Sequence, residues 1–387
     1  MSGCVIVTGL GVVSPLGQGV KENWKNLIGA DRASARNDTR GPAHTGFERA
    51  CELSQLAAAE ALADAGLWDG ESLQNIDPER IGCTVSVSKP LATSSPAVTG
   101  RGSMDSPPGS AGNDVCWAPP DTINDFVANR FGLRGECRNV IAACATGAYA
   151  IALGASWIEQ GLCDMVLAGS VEPYPHPLIQ SGFKQMGVIS AEGVTRPFDL
   201  RRSGFTFGEG AGVMVLESEV FAHRRLASGR GRLTGWALGS DSHSAVAFNS
   251  NGAHIADVIG RALDRGGLSA ADIDHVNAHG TGTRLNDWIE TQALIKTFGS
   301  HADRLMISAT KASTGHLLGA SGSVEFIFSV LALKHQYIPP TATLEVSDPD
   351  CRLDYTPKTG HPAAVRHALS LSFGFGGPIG ALAVSAC

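Results

Sequence analysis

The chain alternates short, continuously apolar runs with longer segments in which apolar residues return at helical spacing. Cys4–Val13 reads as a buried opening strand that runs into a glycine turn. Helical spacing follows over Lys21–Ile28 and Cys51–Ala65, then a strand at Ile81–Val87 and a helix at Asn124–Phe131. An Ala-rich helical pattern runs from Cys144 to about Gln160, and strands follow at Met165–Ala168 and Gly212–Leu216. The alternation then runs a second time. It predicts strands at Leu233–Leu238, Val276–Ala278, Met306–Ala309, Tyr355 and Ala368–Phe373, with helices at Ala253–Arg265, Asp287–Phe298 and Gly319–Leu333. Such alternation implies an α/β architecture with helix-covered sheets. The second pass implies two similar halves, connected by the short basic segment His223–Gly231. Lys89–Pro120 breaks the rhythm: serine, proline and glycine crowd together there, the pattern of a surface loop, a cover over a site or a subunit contact.

Composition narrows the function classes. With 387 residues, 43% of them hydrophobic, the chain can bury a sizeable core. Forty-seven glycines and only 17% charged residues point to tight turns and close-packed small-residue helices. A net charge of -7 without a long basic run argues against nucleic acid as a partner. Nine cysteines lack any CxxC pair, so they form neither a zinc pattern nor a secreted disulfide framework, and a reducing cytoplasm fits them. No apolar run approaches the roughly 18 residues of a membrane span and the N-terminus lacks a signal peptide's basic region, so a cytoplasmic protein with no membrane partner is expected. Gly9-Leu10-Gly11 invites a dinucleotide-binding reading, but Ser14 stands where the third glycine of that motif belongs.

The chemistry centres on Val140–Gly154, where a short apolar run ends at Cys144 and the Ala-rich helical pattern begins. A thiol at a helix N-terminus feels unpaired N–H groups and the positive end of the helix dipole, which favour thiolate. Ala142, Ala143, Ala145, Gly147 and Ala148 leave room for a substrate. Taken alone, such a cysteine reads equally as a packed core residue. Three later stretches supply the partners a nucleophile needs. Asn277–Glu290 carries His279 off a strand end onto a turn holding Thr281 and Thr283; Ser308–Glu325 carries Lys311, His316 and Glu325; Ser372–Gly377 is a glycine loop around Phe375.

These motifs together resemble the β-ketoacyl-acyl carrier protein synthases, decarboxylating condensing enzymes of the thiolase superfamily. The resemblance runs from Val7–Gly11 through Ala143–Gly147, Arg196–Asp199, Gly208–Gly212, His279–Thr283, Lys311, His316–Ala320 and Ser372–Gly377. It implies an α/β, thiolase-like fold of two fused pseudo-symmetric halves in α-β-α-β-α layers. Residues 1–218 would form the first half, with an irregular insertion at 89–120, and residues 219–387 the second. It implies an acyltransferase of fatty-acid or polyketide biosynthesis that works with acyl carrier protein, as a homodimer or as a heterodimer with a related subunit, without metal or organic cofactor. Cys144 would take the acyl group; the backbone N–H groups of Cys144 and Phe375 would hold the oxyanion; His279 and His316 would stabilise the enolate left by malonyl decarboxylation. Lys311 would orient the His279 region and Glu325 would pair with Lys311 or hold a water. Thr281 and Thr283 match positions that bind the phosphopantetheine arm, Phe375 matches a gating aromatic, and Arg202 and Arg130 are candidates for carrier docking.

The sequence departs from the family pattern where Pro378-Ile379 follow the Phe375 loop, where Leu371 replaces a common Asn, where Ser203 replaces a common acidic residue, and over Lys89–Pro120. Pro378 removes an N–H and fixes φ, which would stiffen or rebond the loop. A thiolase would want a second cysteine where Phe375 stands, and an initiating synthase an Asn where His316 stands. A non-catalytic chain-length-factor-like subunit would usually lack the cysteine.

Overall fold

The computed structural model describes residues 4–30, 46–73, 76–93 and 116–387. Its first part holds β1 (Val5–Ser14), β2 (Gly17–Gln18), α1 (Val20–Ile28), α2 (Gly46–Asp64), β3 (Ile81–Ser86), β4 (Leu91–Thr93) and β5 (Cys116–Ala118). There follow α3 (Asp121–Phe131), α4 (Thr146–Glu159), β6 (Met165–Glu172), α5 (Pro177–Gln185) and β7 (Gly210–Ser218). The second part begins with α6 (Glu219–Arg224), β8 (Gly231–Ser240), α7 (Ala253–Gly266), β9 (His275–Asn277), α8 (Arg284–Phe298) and β10 (Met306–Ser308). It ends with α9 (Lys311–Thr314), α10 (Ser321–His335), β11 (Tyr337–Ile338), β12 (His361–Pro362), β13 (His367–Phe373) and β14 (Pro378–Ser385).

The main sheet runs β10-β9-β13-β14-β8-β1-β7-β6-β3. Read outward from the β8–β1 junction, each side takes its first, last, penultimate and second long strand in that order, so the two passes share a topology. The third position, filled by β10 on one side, is reduced to a parallel bridge between Cys83 and Cys137 on the other. The sides are joined because β1 and β8 pair antiparallel from Val5 with Leu233 to Val7 with Gly231. The two sides of the sheet are therefore joined through one short seam.

Helices sort into three layers by what they touch. α2 lies on β1 and β7 and α3 on β3, while α7 lies on β8 and β14. Between the two sides sit α4, against β3, β6, β7, β8 and β14, and α10, against β7, β9 and β13. Both are largely apolar, as helices buried on nearly every face are: α10 is buried from Ser321 to Leu333, Glu325 among them. They approach closely because Gly147 has no side chain; a Cβ there would stand 2.4 Å from the Ser323 amide nitrogen. This contact brings the N-terminus of α4, and so Cys144, to the N-terminus of α10.

Several expectations change. Residues 138–142, ahead of Cys144, are not a strand but an extended lead-in. Tyr355 lies in no strand and instead stacks on Phe198 with ring centroids 3.6 Å apart. Pro378 starts a long strand, β14, that the pattern did not suggest; a proline at the first strand residue leaves the rest of the ladder intact. Lys89–Pro120 is not irregular at its ends, where β4 and β5 pair from Leu91 with Ala118 to Thr93 with Cys116. Residues 94–115 of that stretch lie outside the described residues. Among the described residues no helix is long and apolar enough to cross a membrane.

Candidate active site

Cys144 sits in a one-turn 3-10 segment, Ala143–Ala145, that leads directly into α4. Thr146 ties this turn together, its hydroxyl donating to the Ala143 carbonyl (2.8 Å) and accepting from the Ala142 N–H (3.0 Å). Ala143 is held at φ 47°, a left-handed conformation that costs a non-glycine residue about 1–3 kcal/mol and persists only where the surroundings impose it. Leu318, in the corresponding turn before α10, has φ 48°. Both central helices thus begin with a sharp turn that aims the preceding residues at the seam between the halves.

Cys144 is 5% exposed. Burial pushes its thiol up to about 11, against the opposing pull of Lys311 and Lys89 and of a hydrogen bond from the Phe375 N–H. The expected thiolate is therefore corrected to a resting thiol: the helix end is in place, but desolvation of the sulfur outweighs the favourable charges. The Phe375 loop reaches the sulfur because residue 374 is glycine. A Cβ there would come within 2.6 Å of the Ala142 carbonyl and 3.2 Å of the Cys144 amide nitrogen. The Pro378 carbonyl accepts the Gly374 N–H at 2.8 Å, a bond that any residue at 378 could make. Phe375 is half-buried and packs against Phe183, centroids 6.0 Å apart. Leu371 is fully buried in β13, and Ser203 faces Ser190 at 3.4 Å.

His279 leaves β9 and His316 follows α9; their ring centroids are 5.7 Å apart. Lys311, fully buried, donates to the His279 carbonyl (2.5 Å) and to Glu325 Oε1 (2.6 Å), and its Nζ stands 3.3 Å from His279 Nδ1. An ammonium only donates, so Nδ1 accepts and the proton lies on Nε2. His316 Nδ1 likewise accepts from the Leu318 N–H at 3.1 Å, with Ser321 Oγ at 3.0 Å, which again leaves the proton on Nε2. Burial, then Lys311, holds both imidazoles well below the usual histidine range, with His316 adding to the effect on His279 and Lys89 to that on His316. Two neutral imidazoles with assigned Nε2–H donors are the result. Burial raises the Glu325 carboxyl to about 7 despite its pairing with Lys311.

Two acids beyond the expected set hold the His279 loop. Glu290 accepts the N–H groups of His279 (2.7 Å) and Gly280 (2.8 Å), and Asp287 those of Phe198 (2.8 Å) and Gly282 (3.2 Å). Burial raises Glu290 to about 8 and Asp287 to about 6. The readable signal was two acids three residues apart, one helical turn, immediately after a histidine-glycine turn. Thr281 and Thr283 bond each other through their hydroxyls at 2.9 Å beside the same turn.

Arg202 is corrected outright. It is 4% exposed, pairs with Asp348, and donates to the carbonyls of Asp199 (3.1 Å), Thr283 (3.3 Å) and Arg284 (3.0 Å). A guanidinium spent on internal carbonyls cannot face a partner; it braces the His279 loop. Arg130 is exposed on α3, its guanidinium 5.6 Å from the Trp68 ring centroid.

Residues 43–222 match the family model "Beta-ketoacyl synthase, N-terminal domain" and residues 230–345 match "Beta-ketoacyl synthase, C-terminal domain". The chain is 35% identical to a putative polyketide beta-ketoacyl synthase 1 of Streptomyces halstedii, over 97% of this chain and 96% of that protein. It is 32% identical to 3-oxoacyl-[acyl-carrier-protein] synthase 2 of Rhizobium meliloti, over 96% of each. Among solved structures it is similar, at a TM-score of 0.88 and 28% identity over 100% of both chains, to a chain of a type II polyketide synthase complex in which an acyl-carrier protein is bound to its ketosynthase carrying a hexaketide. The chain belongs to the β-ketoacyl synthase family and has its thiolase-like fold.

Proposed function

We propose that this β-ketoacyl synthase family member catalyses decarboxylative condensation of a Cys144-bound acyl group with malonyl-carrier protein, in polyketide or fatty-acid chain elongation. The observation that carries the reading is the pair of neutral imidazoles, His279 and His316, each with its Nδ1 occupied and its Nε2–H left to donate, in the seam where Lys311 acts on Cys144.

In the first half-reaction, the Cys144 sulfur attacks the thioester carbonyl. The new S–C bond forms, the pantetheine S–C bond breaks, and the proton lost by Cys144 ends on the departing pantetheine thiol. The N–H groups of Cys144 and Phe375 face the developing oxyanion, in a water-poor site where fixed dipoles are most effective. In the second, the bond between the malonyl carboxylate and its α-carbon breaks, CO2 leaves, and the electron pair becomes an enolate. Its oxygen accepts from the two Nε2–H groups, which lie ready without reorganisation. The enolate carbon attacks the acyl carbonyl, the Cys144 C–S bond breaks, and one proton from water restores the thiol. Lys311 holds His279 by both its ring and its carbonyl, and Glu290 holds the same loop by its amides. Thr281 and Thr283 border the path of the pantetheine arm.

The partners we propose are an acidic acyl carrier protein, for which Arg130 remains a docking cation, and a second subunit, a copy of this chain or a related one, in the cytoplasm. We take residues 1–218 and 219–387 as the two halves. The alternative of a non-catalytic chain-length-factor-like subunit is disfavoured by Cys144 itself, whose sulfur accepts a hydrogen bond from Phe375. The test is intact-protein mass spectrometry with a panel of acyl-carrier proteins, then malonyl-carrier protein. Acylation mapping to Cys144, absent in Cys144→Ala, and discharged by malonyl donor into a longer product, is expected. A folded protein that no primer acylates refutes catalysis and leaves the partner-subunit reading.

A further inference from the structure

A second ion pair, buried at its carboxylate and open at its ammonium side chain, stands near the nucleophile, on residues the family resemblance did not assign. β3 and β6 are parallel neighbours, with Ser86 opposite Ser170, so Ser88, Lys89 and Glu172 emerge together at their C-terminal ends. Glu172 is fully buried. It accepts from Ser88 Oγ (2.5 Å), from the Gly319 N–H (3.2 Å) in the turn that follows His316, and from the Lys89 ammonium. Lys89 also donates to Ser88 Oγ at 3.2 Å. An ammonium has three N–H donors, and the third has no partner among the described residues.

The pair has a direction. Lys89 acts electrostatically on Cys144 and on His316, whereas the charged and titratable neighbours that act on His279 are Lys311 and His316. The bond from the Gly319 N–H to Glu172 sets the pair beside the turn that follows His316, and Lys89 acts on both His316 and Cys144. Its side chain is 20% exposed although Glu172 is not exposed at all, so the ammonium borders open space rather than packed core.

What fills that space decides the consequence. A saturated chain laid over an ammonium strips its water and returns no hydrogen bond, which is unfavourable. A chain oxygen restores the lost bond, and a bond from a charged donor is about twice as strong as one between neutral groups. Resting on the condensation reading above, we propose that Lys89 is a specificity-determining residue whose third N–H binds an oxygen of the acyl chain on Cys144. The protein then selects β-keto or β-hydroxy acyl groups over saturated ones of equal length. Glu172 positions the ammonium.

The experiment is a competition between acetoacetyl and butyryl pantetheine thioesters, which share four carbons and differ at C3, with the ratio of the two Cys144 adducts read by mass spectrometry. The native protein favours acetoacetyl. Lys89→Met lowers the acetoacetyl-to-butyryl ratio by about tenfold, about 1.4 kcal/mol, and Lys89→Arg keeps the preference. The double variant Lys89→Met/Glu172→Gln removes both charges, so Glu172 is not left buried without its cation, and shows the same lowered ratio. The proposal is overturned if the native protein loads both thioesters without preference, if the ratio is unchanged in the Met variants, or if they lose only malonyl discharge. A native protein that loads no thioester removes the condensation reading and this inference together, an outcome distinct from loading without selectivity.

Discussion

Replacing His316 with alanine separates the two half-reactions. The proposed mechanism gives His316 no part in forming the acyl-cysteine: its Nδ1 is occupied by the Leu318 N–H at 3.1 Å, and its remaining donor, Nε2–H, would share the enolate oxygen with His279. Removing one of two preorganised donors from a developing oxyanion costs about 10²–10³ in rate, or roughly 3–4 kcal/mol of barrier. The substitution also removes the edge contact with Phe205, centroids 4.7 Å apart, so some stability is lost as well. Self-acylation of the same sample serves as the internal measure of folded, competent protein. The assay is single-turnover: load Cys144 from an acyl-carrier protein, isolate the acyl-enzyme, add malonyl-carrier protein, and follow adduct loss and CO2 release. Discharge is expected to fall about 100- to 1,000-fold while the acylation rate constant stays within a few-fold. Equal loss in both steps would assign His316 a supporting role around Cys144 and refute its place at the enolate.

Other consequences follow from the same geometry. With the Cys144 thiol raised to about 11, its nucleophilic thiolate fraction increases as pH rises; self-acylation should speed up about tenfold per pH unit between pH 7 and 10, and a flat profile there would contradict a buried resting thiol. Gly374→Ala places a Cβ 2.6 Å from the Ala142 carbonyl, which must push the Phe375 N–H off the sulfur; acylation should drop by about 10²-fold in a stopped mass-spectrometric time course, with folding retained. Arg202→Met leaves Asp348 without its buried cation and takes the guanidinium donor from three carbonyls, so urea unfolding should show a loss of about 3–5 kcal/mol, while carrier-protein affinity of the folded fraction is unchanged. Loss of affinity without loss of stability would return Arg202 to the docking surface.

The local order of this protein is written in its sequence. Strands such as Val5–Ser14 and Met165–Glu172 are continuous apolar runs because both of their faces are covered, and the helices after them carry the spacing their packing demands. The chemistry-bearing residues are equally legible, since Cys144, His279, Lys311 and His316 stand at element ends amid small residues. What the sequence could not determine was the balance of long-range terms. The charge state of Cys144 depends on burial in the assembled chain, which a helix-end argument made from neighbours alone leaves out. The two imidazole tautomers depend on what meets each Nδ1: Lys311 from 32 positions away at His279, a left-handed turn at His316. Arg202 reads as a surface cation until the fold delivers Asp348, 146 positions later, to its guanidinium. Lys89 sits in a stretch whose composition suggests a loop, and only the parallel pairing of β3 with β6 sets its ammonium on Glu172 beside the nucleophile. Local propensity follows from neighbouring residues; charge, tautomer and access follow from which distant groups exclude water, and that is a property of the assembled chain.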